Sequence, residues 1–450
     1  MDPSSGTAPA LRERLSYGLF FFGQNMIFVL GYQFLSLFCT DELEIAPAAT
    51  GLIFLIVRIW DAVCTISMGF VVDKAQWKRG KYLPWVNISI MLIPLITGLM
   101  FTDWGGSVSF KVAYIFVLYL AFTTFYVIFD IPIFAFVNAA TDIPEERNRM
   151  VSIGRIFSGA GSVAVAYFTM PLILRLGWTR AIWILCGVCF AAMLPLRLFG
   201  RERVSYSREP VRFRDLVGTV MKNKYLLIFL AGQFISGVCN TSGAVANYFS
   251  IYNLGNPDYV SVVNVIMYSG MFIIPLFLPQ MIKWIGKKNT LILFLAISIA
   301  SFLALRVVWY RNIYLTFFLL FTASCSRITS IIHVMFTTDC IEYGEYRTGS
   351  RSEGTIFAVQ MFAGRISMAI SGSLAPILLQ LSGYVANAEQ TPRALNGIFN
   401  LFCLLPAAGM AAMLVIMAVF YKLREKDVAR MMEEVRQRKL SQASEAAAKG

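Results

Sequence analysis

An all-α membrane protein is the fold class that this sequence predicts. Three observations point to it: an apolar composition, a series of long apolar runs, and basic residues gathered on one set of connections. Hydrophobic residues make up 57% of the 450-residue chain, against roughly 45–50% in soluble domains. A helix needs roughly 20 apolar residues to cross about 30 Å of hydrocarbon. Twelve such runs lie near 17–39, 47–72, 83–102, 111–137, 150–174, 178–199, 225–249, 260–282, 289–309, 313–337, 355–382 and 396–421. They are too long and too continuously apolar for barrel strands, so each is expected to satisfy its own backbone as a helix.

The net charge of +13 is topological rather than a nucleic-acid footprint. With tails and loops assigned to alternate sides, 28 Lys and Arg fall on the side of the N-terminus and six on the other. This asymmetry predicts cytoplasmic termini in a cell (inner) membrane. The N-terminal stretch has no basic start followed by a short apolar core and a cleavage site, so the first helix is expected to stay as an anchor. The eight cysteines lie mostly inside runs, and Cys186 and Cys189, although a CxxC pair, read as packing residues.

The long polar connection 200–224 divides the chain into a 1–16 tail, a six-helix bundle at 17–199, a linker at 200–224, a second bundle at 225–421 and a 422–450 tail. The halves echo each other. "TDIPEERNRM" after the fourth run and "TDCIEYGEYRTGSR" after the tenth share an order of Thr-Asp, Glu, Arg and Arg, and basic loops follow both the second and the eighth runs. Two pseudo-symmetric six-helix bundles predict the major facilitator architecture, with substrate near the midplane. The charged repeats predict a cytoplasmic gate of Asp142, Arg149, Asp339, Glu342, Glu345, Arg351 and Glu353.

Six ionisable groups sit inside predicted spans: Arg58, Asp61, Asp130, Arg155, Arg327 and Arg365. Each costs roughly 2.5–3.5 kcal/mol at a helix centre, so they must be paired, hydrated or functional. Arg58, Asp61, Thr65 and Met68 form one stripe on the second span. Tyr119, Thr123, Tyr126, Asp130 and Phe134 line the fourth. Ser152, Arg155, Ser158 and Ser162 follow on the fifth, Gln233, Ser236, Asn240 and Asn247 on the seventh, and Asn264 with Tyr268 on the eighth. Asn25 and Tyr32 lie on the first. Aromatic and hydrogen-bonding stripes of this kind suit a sugar. Four arginines against two aspartates leave an excess of positive charge, and a guanidinium fork matches a carboxylate or sulfonate. The expected substrate is therefore anionic. His333, the single histidine, is read as interfacial.

Several stretches carry a resemblance: "LSYGLFFFGQN", "VRIWDA", "RGKYLPW", "FDIPIFAF" and "IEYGEYRTGSRSEG". From about residue 15 to 420 the chain resembles the glycoside-pentoside-hexuronide:cation symporters, which include the melibiose permease and the glucuronide carrier. In the melibiose permease pattern the second span carries two cation-site aspartates. Here the first is Asp61, the second is Thr65, the Asn between them is Cys64, and a hydroxyl on the fourth span is replaced by Val127. One carboxylate is poor in oxygen ligands for Na+, so the resemblance implies coupling to H+ through Asp61, with Arg58 beside it.

The resemblance also implies a sugar site. Asn25 stands where the melibiose pattern has an aspartate, Asp130 matches the sugar-binding acid, and Phe134 replaces a stacking Trp. Arg155 matches the family arginine, Arg365 replaces a lysine, and Arg327 has no counterpart. Tyr126, Gln233, Asn240 and Asn264 complete the expected lining. The expectation is a monomeric symporter of an anionic sugar or glycoside, a hexuronide or a sulfonated sugar, with no cofactor beyond the coupling ion and no structural metal. The alternatives are a Na+-coupled neutral glycoside symporter and a lysolipid carrier on the same fold. An enzyme is disfavoured because neither HExxH nor GxSxG occurs.

Overall fold

The computed structural model of the chain describes residues 9–74, 80–141, 143–203, 221, 223–309, 312–348, 353–428, 430–435 and 437. Among the described residues, twelve helices are long and apolar enough to cross a membrane. They are α1 (Leu11–Glu42), α2 (Pro47–Lys74), α3 (Leu83–Met100), α4 (Val108–Ala140), α5 (Pro144–Leu176), α6 (Trp178–Phe199), α7 (Lys224–Asn253), α8 (Tyr259–Ile285), α9 (Lys287–Val308), α10 (Ile313–Arg347), α11 (Glu353–Leu381) and α12 (Pro392–Val419). Asp142, Arg351 and the side chain of Glu353, three of the expected gate residues, lie outside the described residues.

Two helices differ from their sequence-based outlines. α7 is interrupted at Asn240, whose backbone leaves helical geometry (φ −79°, ψ 69°) before a second stretch begins at Ser242. Thr241 and Ser242 then hydrogen-bond the carbonyls of Leu401 and Phe402 at 2.5 and 2.7 Å. Short hydroxyl side chains that compete for backbone partners make such a break tolerable. α10 runs helically to Thr348, so "TDCIEYGEYRT" is helix rather than loop. Its counterpart after α4 leaves helical geometry at Thr141, and Pro144 takes the first position of α5, where a missing N–H costs nothing; no proline stands in residues 338–348.

The chain divides into two compact units. The first holds α1–α6 together with Thr241–Tyr268 and Ala369–Phe402. The second holds the described residues of Glu209–Asn240, Ser269–Met368 and Cys403–Gly450. In the first unit α1 packs along α5 and α6, while α3 packs on α4 and α6. The α1–α5 seam is tight: a Cβ on Gly161 would lie 2.3 Å from the carbonyl oxygen of Phe22. In the second unit α7 packs along α12, and α9 along α10 and α12. The pairings α3–α6 and α9–α12 correspond, as do α3–α4 and α9–α10, and this is the internal symmetry that the echoing loops predict.

The correspondence extends to one electrostatic device. Glu202, just past α6, accepts from the backbone N–H groups of Lys81, Tyr82 and Leu83 at 2.7, 2.8 and 2.7 Å, capping the start of α3. Glu425, past α12, accepts from the N–H of Lys287 at 2.6 Å, capping the start of α9. A carboxylate there satisfies orphan donors and favours the positive end of the helix dipole. Gly80 makes the first clip possible. It sits at φ +105°, and a Cβ would lie 2.8 Å from the Glu202 carboxyl.

The chain beyond α6 is also tied to α1 and α4. Arg203 donates to both carboxyl oxygens of Glu13 at 2.8 Å and, through its backbone N–H, to the carbonyl of Ala139 at 2.7 Å. Substituting Gly161→Val should force α1 off α5 and cost about 3 kcal/mol. A melting point several degrees lower in detergent, with Glu202→Gln also reduced by loss of its charge-assisted bonds, is the expected measurement.

Candidate functional site

In the first unit α4 supplies the stripe Tyr126, Asp130 and Phe134, spaced by four residues on an unbroken helix. α1 faces it with Phe20, Gln24 and Phe28. Phe20 lies 5.6 Å from Phe129 and Phe28 lies 6.1 Å from Tyr126, ring centre to ring centre. Between these aromatic contacts Gln24 Nε2 donates to Asp130 Oδ1 at 2.8 Å. The pair is withdrawn from solvent, Gln24 to 2% and Asp130 to 9% exposure. Gln24 Oε1 has no partner among the described residues. Asn25, one residue on, turns its amide back to the carbonyl of Phe21 at 3.1 Å.

Phe134 is 53% exposed, and its ring lies 5.5 Å from that of Phe21. Phe21 also borders Gly154 of α5, where a Cβ would lie 3.2 Å from its ring. The next residue, Arg155, is exposed more than two turns inside α5. It has no carboxylate partner among the described residues. One hydroxyl of its stripe is committed locally, since Ser162 donates to the carbonyl of Ser158 at 3.1 Å.

On α2 the guanidinium of Arg58 lies 5.9 Å from the centre of the Tyr32 ring. It is within electrostatic range of Asp61 and of the Tyr119 and Tyr126 hydroxyls. Asp61 and Thr65, one turn apart, are half-buried. Trp60 ties this helix to α4 by donating to Thr124 Oγ1 at 2.8 Å. Thus α1, α2, α4 and α5 gather Arg58, Asp61, Tyr126, Asp130, Phe134 and Arg155 in one unit.

The second unit holds Gln233, Asn240, Arg327 and Arg365. Gln233 accepts from Gln360 Nε2 at 3.4 Å, and Gln360 Oε1 accepts from the Thr337 hydroxyl at 2.6 Å, so one amide links α7, α10 and α11. Asn240 is exposed at the break in α7. Arg327 closes a tight 3₁₀ turn, Ser324–Arg327, within α10, and Arg365 is half-buried on α11. Asn264, in the first unit, is 1% exposed and donates to Asn247 Oδ1 at 3.0 Å.

Two of the described gate residues, Asp339 and Arg149, have ion partners within their own halves. Asp339 grips Lys287 Nζ with both oxygens at 2.6 and 2.7 Å. Arg149 donates to Glu146 at 3.1 Å, and the same carboxylate meets Arg14 at 2.8 Å. Glu345 is buried and Glu342 half-buried.

Sequence reasoning missed Gln24. An amide in an apolar run reads as helix-to-helix glue, but its place between Phe20 and Phe28, at four-residue spacing, marks the α1 face that meets the α4 stripe. Glu202 and Glu425 were equally legible in retrospect, as the paired strings "RER" and "REK" that follow the sixth and twelfth spans.

Twelve membrane-length helices among the described residues, with polar and charged side chains gathered within the spans, define a multi-pass membrane protein. Residues 16–425 match the MFS/sugar transport protein family, and the chain belongs to it. It is 30% identical to the uncharacterized symporter YjmB of Bacillus subtilis, over 95% of this chain and 96% of that protein. It is 26% identical to a putative sulfoquinovose importer of Salmonella typhimurium (96% of this chain, 93% of the relative) and to a glucuronide carrier protein homolog of Escherichia coli (95% and 96%).

Among solved structures, a nucleoside transporter superposes with a TM-score of 0.65 at 12% identity, covering 92% of this chain and 100% of that one. That likeness shows the major facilitator fold. The resemblance to glycoside-pentoside-hexuronide symporters is borne out at the level of the family.

If Gln24 positions Asp130, Gln24→Leu should weaken sugar binding about tenfold, the size of one lost hydrogen bond to a charged group. Isothermal titration on the purified variant is the check, with an unchanged melting point excluding unfolding.

Proposed function

We propose that the protein is a symporter that carries a sugar or glycoside bearing an acid group, a hexuronide or a sulfonated sugar, together with H+, by alternating access in the cell membrane with both termini cytoplasmic. One observation carries this reading: Arg155, exposed well inside a membrane-spanning helix, has no acid partner among the described residues. A guanidinium at that depth needs an anion or water, and a planar fork pairs with a carboxylate or sulfonate. The excess of four intramembrane arginines over two aspartates supports the same reading. So do relatives named for glucuronide and for sulfoquinovose.

In this reading the Asp130 carboxylate, held through one oxygen by Gln24, accepts hydrogen bonds from sugar hydroxyls. Phe134 and Tyr126 offer ring faces to the sugar. Arg155, joined by Arg365 and Arg327 during the cycle, meets the acid group. Gln233 and Asn240 supply amides along the path. Asp61 takes the coupling proton, with Arg58 beside it and Thr65 one turn on. The gate on the basic side is drawn from Asp142, Arg149, Asp339, Glu342, Glu345, Arg351 and Glu353.

Two measurements test this. In proteoliposomes a glucuronide should compete for uptake about tenfold better than its neutral glucoside counterpart, the size of one charge-assisted hydrogen bond, and Arg155→Gln should erase that preference. Equal competition by the neutral sugar overturns the anionic reading. Separately, Asp61→Asn should abolish accumulation driven by a proton gradient while leaving substrate counterflow intact. Accumulation at the wild-type level would remove Asp61 from coupling.

A further inference from the structure

Within the first unit, the ends of α1 and α2 far from the basic loops are joined to the matching ends of α7 and α11 by a set of hydrogen bonds that converge on Asp41. The Tyr252 hydroxyl donates to Asp41 Oδ2 at 2.6 Å, and the Tyr384 hydroxyl donates to Oδ1 at 2.5 Å. Thr40 Oγ1 reaches the same Oδ1 at 2.6 Å. Asn387 Nδ2 donates to the Asp41 carbonyl, and its backbone N–H to the Tyr252 hydroxyl at 3.2 Å.

Behind this lies a relay in which Ser36 is 3.0 Å from the Tyr248 hydroxyl and Tyr248 is 2.8 Å from Thr40. Each hydroxyl has one proton, so a chain ending on a carboxylate has one consistent direction: Ser36 to Tyr248 to Thr40 to Asp41. Two more bonds flank the set. Asn247 Nδ2 donates to the carbonyl of Gln33 at 3.0 Å, and the N–H of Ala48 donates to Gln380 Oε1 at 2.6 Å. Burial, and then the charge of Asp41, hold the Tyr384 phenol above its usual range, so it remains a donor.

We propose that Asp41, with Tyr252 and Tyr384, is the latch of the outer gate, the set of contacts between the two sequence halves that must break whenever the pathway opens to the outside. Every donor on the carboxylate other than Thr40 comes from the second half of the sequence, whereas Asp41 comes from the first. Opening therefore exchanges two phenols for water on a single group. An amide in its place would present N–H donors to hydroxyl donors and weaken the closed state without a change of size. The proposal rests on the alternating-access reading but not on the identity of the sugar or the ion.

The test is a distance measurement that needs no substrate. In full-length protein with its native cysteines replaced, spin labels go on the exposed positions Val108 and Asp258, one in each half, in lipid nanodiscs. The otherwise wild-type protein should give a dominant short distance. In Asp41→Asn and in Tyr384→Phe, a longer distance should grow about tenfold relative to it, as expected for one lost hydrogen bond to a charged group. Tyr114→Phe is the control, because that hydroxyl donates to the carbonyl of Thr102 within the first half at 3.1 Å, and it should leave the distribution unchanged. If Asp41→Asn does not fold, Tyr384→Phe carries the test. Distributions that overlay the wild type, or an equal shift in Tyr114→Phe, overturn the proposal.

Discussion

A polar group in hydrocarbon finds no water, and nearly every local choice in this chain answers that constraint. Hydroxyls inside the helices turn back on their own backbone: Thr97 donates to the carbonyl of Ile93, Thr169 to Val165 and Ser298 to Phe294. Amides form chains, as in Gln360 between Thr337 and Gln233. The backbone departs from regular helix at Asn240, where the neighbouring hydroxyls find carbonyls on α12. Where so many polar groups find partners inside the protein, a charged side chain left exposed within a span stands apart, which is why Arg155 weighs more in the functional argument than any serine or asparagine.

The same constraint explains what could be read from the sequence. Membrane span length and the side preference of Lys and Arg act on whole segments, so twelve helices and two echoing halves were legible without coordinates. Asp130 was legible because an acid inside an apolar run is conspicuous. Its partner Gln24 was not, since a neutral amide carries no charge signature and the bond joins residues far apart in the chain. Asn25 and Asn264 show the converse. Both are polar residues on the right spans, yet one bonds its own helix and the other lies fully buried against Asn247. Residue type placed them near a pathway, but only side-chain direction separates lining from glue. Asp41 escaped notice because it falls just beyond the apolar run of the first span, where an acid reads as an ordinary solvated loop residue.

The charged stretch after α10 illustrates how a repeat can diverge while its order of residues persists. In the first half the helix stops at Ala140 and α5 begins at Pro144. In the second the helix continues, and Asp339 reaches Lys287 at the start of α9. The two halves thus keep their carboxylate clips, Glu202 and Glu425, while anchoring the adjoining segments differently.

The clip at Glu202 bears on how the protein can be divided in the laboratory. Because Glu202 caps α3 while Arg203 binds α1 and reaches the end of α4, both belong to the amino-terminal bundle although composition assigns them to the linker. Two separately expressed polypeptides meant to reassemble would need their junction downstream of Arg203, since a cut at Gly200 would strip the leading fragment of the acid that closes its third helix.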